Sequence, residues 1–284
     1  MSPRREGEAP PAPEALPHPV VDNHCHLDIA HEGPDRAGAV AEALASAAAV
    51  GVPRIVQIGC DLPGARWAVT AATSYDALVA GVALHPNEAP RLDEEGTLEE
   101  ALAEIEALAQ THDRVRAVGE TGLDHFRTGE EGRAAQVASF RRHIDLAKRL
   151  DKTLVIHDRD AHEEVLAVID EEGAPERWVM HCFSGDADVA RRCLDRGAFL
   201  SFSGTVTFKN AQPLRDALVV APRDRVLVET DAPYLTPTPY RGRPNASYLV
   251  PLTMRSMAEA RGDDLEELCR AVEANTFTAF GGAW

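Results

Sequence analysis

The sequence predicts a single-domain (β/α)8 TIM barrel with a short C-terminal helical cap, and three observations lead to that prediction. Eight short apolar or β-branched runs recur along the chain, segments of helical periodicity separate them, and no glycine-rich phosphate fingerprint follows the first run. Runs that alternate with helices predict a parallel sheet, because parallel neighbours need a crossover connection. Eight such strands in 284 residues fit a closed barrel better than an open doubly wound sheet.

The predicted elements follow the chain in alternation. The predicted strands are Val20–His26, Arg54–Cys60, Leu78–Leu84, Val115–Glu120, Thr153–His157, Trp178–Phe183, Ala198–Ser203 and Val226–Asp231. Helical periodicity is clearest over Leu98–Gln110 and Ala134–Leu150, and the segments after Pro251 and Asp264 predict the C-terminal cap. Residues 1–19 are rich in proline, alanine and charge, so we expect a disordered lead-in before a barrel that spans 20–284.

Composition favours a cytoplasmic protein. Neither a secretory signal nor an apolar stretch long enough to span a bilayer is recognisable, and the five cysteines contain no CxxC pair, which predicts reduced thiols. The formal net charge of −17 argues against a broad nucleic-acid footprint. It leaves open a narrow site for one strand end, because bound cations invert the local potential.

Residues that can bind metals stand at the carboxyl ends of most predicted strands, the ends that carry the chemistry in barrels of this class. They are His24 and His26 at strand one, His85 at strand three, Glu120 at strand four, His157 at strand five, His181 at strand six and Asp231 at strand eight. Five of the chain's 11 histidines would thus meet at one rim. This convergence predicts a metal site, whereas one such histidine alone would predict only a hydrogen-bonding residue.

The donor set predicts two divalent cations. Imidazoles together with carboxylates suit zinc, manganese or magnesium. One ion would be surrounded by His24, His26, Glu120 and Asp231, and the other by Glu120, His157 and His181. A carboxylate can bridge ions about 3.5–4 Å apart, the separation found in two-metal hydrolytic sites, so Glu120 is the predicted bridge.

Several motifs in fixed order resemble those of the TatD family of metal-dependent deoxyribonucleases. The matching pieces are DNHCHLD, GVALHP, GETGLD, IHDR, HCFSG, ETDAPYL and PYRGRPN, from about Val20 to the C-terminus. The resemblance implies a barrel that hydrolyses phosphodiester bonds in DNA, as a 3′→5′ exonuclease or a non-specific DNase. It also implies that the family's metal ligands fall on the six ligand residues named above.

Two-metal chemistry gives the site residues predicted roles. A water shared by the two ions would lose its proton and attack phosphorus in line, and Asp231 could accept that proton. We expect His85 to contact the phosphate or the leaving group, or else to close its strand with a hydrogen bond before Pro86. Arg159, Arg241 and Arg243 are candidate phosphate contacts. The alternative for Arg159 is a carboxylate partner, and the alternative for Arg241 and Arg243 is a solvated surface loop.

Residues one layer deeper or just after the ligands have supporting roles in this interpretation. Asp22 and Glu229 share the inward face but lie deeper, so they are expected to orient ligand imidazoles. Asp124 is expected to fix a loop.

Three hypotheses about function remain open. The first is a DNase acting on single strands or 3′ ends, without an obligate protein partner. The second is an amidohydrolase or esterase, for instance on an aminoacyl-tRNA ester. The usual bridging lysine of two-metal amidohydrolases is replaced here by Glu120, and none of the three lysines ends strand four. The third is a binding protein with a lost site, which an intact set of six ligands disfavours.

Overall fold

The computed structural model describes residues 7–33 and 35–284, and its strands follow one another in chain order. The strands are β1 (Val21–Cys25), β2 (Arg54–Gly59), β3 (Leu78–Val82), β4 (Val115–Asp124), β5 (Thr153–Arg159), β6 (Trp178–Met180), β7 (Phe199–Phe202) and β8 (Val226–Val228). They form one sheet in the order β1 to β8, and Cys25 of β1 also forms a parallel bridge with Ala232, just beyond β8. This is the strand order of the (β/α)8 barrel, so the predicted fold class is confirmed.

Helices separate the strands as the sequence predicts. They are α1 (Leu27–Ala30), α2 (Arg36–Ala49), α3 (Leu62–Ser74), α4 (Ala89–Glu94), α5 (Leu98–Gln110), α6 (Arg133–Arg149), α7 (His162–Glu172), α8 (Ala187–Leu194), α9 (Gln212–Val220), α10 (Val250–Arg261) and α11 (Leu265–Ala279). Short 3-10 turns cover Glu130–Gly132, Gly204–Thr207, Arg223–Arg225 and Ser247–Leu249. Helix α5 has the predicted bounds, α6 is shifted by one residue, and α10 and α11 provide the predicted C-terminal helices. Within the described residues, no helix combines the length and apolar character needed to cross a membrane.

Strand ends differ from the predicted ones where the backbone leaves the extended conformation or stays in it longer than hydropathy suggests. β4 continues to Asp124 and β5 to Arg159, because the two strands remain paired over that length. β6 and β8 stop early, at Met180 and Val228. Soon after them Cys182 and Asp231 adopt positive φ angles of 43° and 55°. Positive φ takes a residue out of the β region, so the extended strand cannot continue through it.

The chain divides into two compact units. Unit 1 comprises the described residues up to Val56 together with Gly185–Arg191 and Ser201–Thr276; unit 2 comprises Gln57–Ser184, Arg192–Leu200 and Phe277–Trp284. In unit 2, Phe140 and Ile144 of α6 are fully buried one turn apart, and α6 packs on β4. Burying side chains of this size contributes about 1.5–3 kcal/mol each, which fixes α6 against the strand that carries Glu120.

The predicted lead-in can be compared with the structure over residues 7–19, because residues 1–6 lie outside the described part. In unit 1, the Leu16 N–H donates to the Val50 carbonyl oxygen at 3.0 Å, and the Tyr248 hydroxyl donates to the Pro10 carbonyl oxygen at 2.7 Å. Leu16 is buried. The boundary at residue 20 and the disorder of the first residues stay predictions.

Candidate metal centre

Unit 1 contains one group of metal donors, here called the His24 cluster: His24, His26 and Asp231. His24 and His26 are two residues apart along β1 and its end, so both face the same side. Their Nε2 atoms are 3.2 Å apart, and the Asp231 Oδ1 atom lies 4.0 Å from His24 Nε2 and 3.4 Å from His26 Nε2. Both imidazoles are buried. Three predicted ligands therefore converge within this unit.

Buried hydrogen bonds hold the two backbone segments of the His24 cluster. The Asp22 carboxylate accepts hydrogen bonds from the Thr230 N–H at 2.8 Å and from the Thr230 hydroxyl at 2.6 Å. Burial raises the pKa of Asp22 to about 6, against the opposing effect of these bonds. The Asn245 side-chain amide donates to the Thr230 carbonyl oxygen at 3.0 Å and also to that of Tyr234. Asp22 thus ties β1 to the segment that carries Asp231, and Asn245 holds the following loop against it.

Unit 2 contains a second group, the Glu120 cluster: His85, Glu120, His157 and His181. Three imidazole nitrogens surround a single carboxylate oxygen, Glu120 Oε1. His157 Nδ1 lies 2.5 Å from it, His181 Nε2 3.0 Å and His85 Nε2 3.5 Å. Burial alone would raise the pKa of Glu120, but the neighbouring His181, His85 and His157 hold it well below its usual range. Glu120 is therefore an anionic carboxylate, the form that binds cations.

The β4 backbone brings Glu120 to this position through a bulge and two close approaches. Gly119 pairs with Val155 and Thr121 with Ile156, so Glu120 is the extra residue of a β-bulge. A Cβ at Gly119 would lie 2.4 Å from Val155 Cβ. One at Gly122, where φ is +135°, would lie 2.1 Å from the carbonyl oxygen of His157. The glycines of the GETGLD motif thus allow β4 and β5 to approach where each carries a candidate ligand.

Asp124 supports the Glu120 cluster from the end of β4. Its Oδ2 accepts a hydrogen bond from the Asn87 side chain at 3.0 Å and lies 3.4 Å from His157 Nε2. Its Oδ1 accepts from the backbone N–H groups of Phe126 and Arg127, which agrees with the predicted role in fixing a loop. The carboxylate therefore also lies within ion-pair distance of the His157 ring, a contact that the sequence did not reveal.

His85 lies within the Glu120 cluster, whereas its predicted role was a contact with the phosphate or leaving group, or a hydrogen bond that closes its strand. Its Nδ1 accepts a hydrogen bond from the Asn87 N–H at 3.1 Å. Donor atoms of His85, Glu120 and His157 all lie within 4.8 Å of one another, so His85 can serve as a ligand. The Cys60 thiol, which sequence reasoning passed over, lies 3.4 Å from Glu120 Oε2. Cys60 ends the second predicted strand, so its position at a strand end was the signal that could have identified it.

The three arginines predicted to contact substrate differ in their partners. The Arg159 guanidinium lies over the Phe126 ring, 3.9 Å from its centroid, and that of Arg241 lies over Phe208 at 4.0 Å. Among the described residues, neither guanidinium group has a hydrogen-bond acceptor or a carboxylate partner. The Arg243 guanidinium donates to the Glu8 carbonyl oxygen at 3.0 Å. Arg159 and Arg241 are therefore the freer cations.

The donor sets fit divalent metal ions. Imidazole nitrogens bind zinc at about 2.0–2.1 Å, which places two ligand atoms of one ion roughly 3–3.5 Å apart. The His24 cluster has spacings of 3.2, 3.4 and 4.0 Å. In the Glu120 cluster the nitrogens of His181 and His85 lie 3.0 and 3.5 Å from Glu120 Oε1, whereas His157 Nδ1 forms a 2.5 Å hydrogen bond with that oxygen. Buried and half-buried imidazoles and carboxylates at such spacings are suited to holding a cation.

Histidine and carboxylate clusters at the strand ends of a (β/α)8 barrel are typical of metal-dependent hydrolases. Residues 21–281 match the protein family described as TatD related DNase. The chain belongs to the TatD family, and it is a metal-dependent hydrolase of that family.

Relatives and a solved structure agree with this assignment. The chain is 45% identical over 270 residues to the uncharacterized metal-dependent hydrolase TatD of Mycobacterium tuberculosis, covering 93% of this chain and 99% of the relative. It is 38% identical over 259 residues to the uncharacterized metal-dependent hydrolase YcfH of Escherichia coli strain K12, covering 90% and 93%. The crystal structure of YJJV, a TatD homologue from Escherichia coli K12, superposes with a TM-score of 0.84 at 28% identity, covering 93% and 98%.

Proposed function

We propose that this protein hydrolyses phosphodiester bonds of DNA with two divalent cations, one held by the His24 cluster and one by the Glu120 cluster. The observation that carries the proposal is the convergence of three imidazole nitrogens on one anionic oxygen of Glu120. The family's description as DNase-related supports DNA as the substrate. Bridging by Glu120 and the identity of the metals, among magnesium, manganese and zinc, stay part of the proposal.

Each residue has a task in this proposal. Bound divalent cations supply Lewis acidity and lower the pKa of a nucleophilic water. Asp231 would accept the proton of the attacking water, because its carboxylate faces the imidazoles that would hold an ion. His85 contacts the phosphate or completes the ligands of the Glu120 cluster. Arg159 and Arg241 pair with phosphate oxygens, since their guanidinium groups have no acceptor in the described part of the chain.

The proposed substrate is the 3′ end of single-stranded DNA. The net charge of −17 opposes a long duplex footprint, whereas a single strand end needs few phosphate contacts. We also keep the cytoplasm as the proposed location, because all five cysteines are free thiols.

The test uses metal-stripped protein with added magnesium, manganese or zinc and a short single-stranded DNA labelled at its 5′ end. We expect a metal-dependent ladder that shortens from the 3′ end. The variant Glu120→Gln should reduce cleavage to background, because the amide cannot replace the anionic ligand. Glu164→Gln is the matched control: its carboxylate also faces a histidine, His125 at 3.0 Å, but its side chain is 43% exposed.

The outcomes separate the proposed function from its alternative. Cleavage by the wild type and the control, but not by Glu120→Gln, supports the nuclease. No cleavage with any metal, in protein shown to bind two ions, refutes it. That result would direct the search to carboxylic esters and amides, including aminoacyl-tRNA, on the same barrel.

A further inference from the structure

Phe126 is an aromatic side chain left on the surface next to the Glu120 cluster. It is 63% exposed, more than any other large hydrophobic residue in the described part of the chain. It follows β4 by two residues in the GLDHFR segment, where burial would be expected if the ring served packing. A largely exposed phenylalanine gives up part of the favourable free energy of burying an aromatic ring, which points to another use of the ring.

One face of the Phe126 ring is covered by a cation. The guanidinium of Arg159 lies 3.9 Å from the ring centroid, and the backbone also joins the two segments, because the His125 N–H donates to the Arg159 carbonyl oxygen at 2.9 Å. Arg159 has no acceptor among the described residues, so its N–H groups remain available to a phosphate. The pair therefore presents an aromatic surface beside a free cation.

The pair is connected to the Glu120 cluster by one carboxylate. Asp124 accepts the Phe126 N–H on one oxygen at 3.1 Å, while its other oxygen lies 3.4 Å from His157 Nε2. Arg159 is two residues beyond His157 on the same face of β5. Changes that displace His157 would thus also displace the aromatic pair.

We propose that Phe126 and Arg159 form a stacking platform for one nucleobase of single-stranded nucleic acid, with Arg159 contacting the adjacent phosphate. This inference rests on the proposed function: the platform would bind one nucleotide of the substrate beside the proposed reaction site. A base has a π-face whatever its identity, so the platform accepts every sequence and selects unpaired bases, whose faces are open. A base stacked in a duplex cannot reach it.

The experiment measures binding apart from cleavage. Metal-loaded protein is titrated into fluorescent single-stranded oligothymidylate with phosphorothioate linkages, followed by anisotropy. A second strand carries abasic residues in place of the thymidines. Stacking of a base on an aromatic side chain predicts about 5- to 100-fold weaker binding for Phe126→Ala on the base-containing strand. Phe126→Trp should restore binding, and Val219→Ala, which trims an exposed apolar residue of α9, is the control for general surface effects.

Each outcome decides the inference. A loss with Phe126→Ala that disappears on the abasic strand supports the platform. Equal affinity of Phe126→Ala and wild type overturns it, and so does an equal loss on both strands, which would mean that the ring contacts backbone or a protein partner instead. Cleavage of an ordinary strand is scored separately. If the protein cleaves DNA but binding does not depend on Phe126, the proposed function stands and the stacking platform is refuted. If bases bind through Phe126 but no DNA is cleaved, the proposed function is refuted and the platform stands.

Discussion

His143 on α6 permits a prediction of how stability depends on pH. Its side chain is 1% exposed. The ring lies between the segments that carry His85 and Glu120: its Nε2 accepts the Leu84 N–H at 3.3 Å, and its Nδ1 lies 3.1 Å from the Thr121 hydroxyl. Nδ1 also donates to the Ser139 carbonyl oxygen on α6 at 2.7 Å. These partners require a neutral imidazole with the proton on Nδ1. A second proton on Nε2 would face another N–H donor.

The pKa gives the magnitude and the sign. Burial lowers the pKa of His143 from 6.5 to about 4. Between pH 6.5 and about pH 4 the unfolded chain therefore carries a proton on this imidazole that the folded protein does not bind. The free energy of unfolding consequently falls as the pH falls through this range. At 1.36 kcal/mol for each pKa unit, the loss is about 2 kcal/mol between pH 7 and pH 5 and about 3 kcal/mol below pH 4.

The assay compares urea unfolding of the wild type and His143→Gln at pH 7, 6 and 5 with the same metal present. Other histidines titrate in both proteins, so the difference between the two curves isolates His143. The His143→Gln variant should be less stable than the wild type at pH 7, because the amide fills the imidazole site less well. Between pH 7 and pH 5, however, its free energy of unfolding should fall by about 2 kcal/mol less than that of the wild type. Parallel curves would refute the assignment of a buried neutral imidazole.

Three further predictions concern the N-terminal cap of α3, the carboxylate beside the candidate ligand His157, and the positive charge of Arg159. Asp61 caps α3 by accepting the Gly64 N–H at 2.7 Å, so Asp61→Ala should lower the free energy of unfolding by about 1 kcal/mol, measured in urea. Asp35→Ala removes a cap residue that makes no such bond, and an equal loss there would contradict the cap argument. Asp124→Asn should weaken metal binding about 10- to 100-fold in a chelator competition, and unchanged affinity would mean that Asp124 does not orient His157. Arg159→Gln should reduce the slope of log affinity for single-stranded DNA against log salt by about 0.7, and an unchanged slope would exclude a phosphate contact.

Strand positions and ligand types were predictable because both follow local rules. Apolar runs locate all eight strands, and alternation along β1 places His24 and His26 on one face. Strand lengths were less predictable, because they depend on tertiary pairing and local backbone angles. Glu120, predicted at a strand end, lies inside β4 at a bulge that only the pairing with β5 reveals. The sequence GETGLD alone does not reveal the register of β4 against β5.

Supporting residues were harder to predict than ligands. His143 lies on a helix 20 or more residues from the segments it holds, and its contacts depend on how α6 packs on β4. Asn245 gives no sequence signal for the same reason: one polar residue in a loop has many partners available. Asp22 was expected to orient an imidazole, and its hydrogen bonds to Thr230 show instead a role in joining the ends of two strands.

The charge distribution is compatible with the proposed action of so acidic a chain on DNA. In this chain of net charge −17, surface arginines pair with carboxylates, as in Arg196 with Asp170 and Arg149 with Glu106. Such pairs leave little positive potential for a long duplex. Arg159 and Arg241 contact phenylalanine rings instead, so their charges stay available, and bound cations would add the remainder at the strand ends. If the proposed function holds, affinity confined to these arginines and cations would favour a strand end over continuous duplex, because a net charge of −17 opposes a longer phosphate footprint.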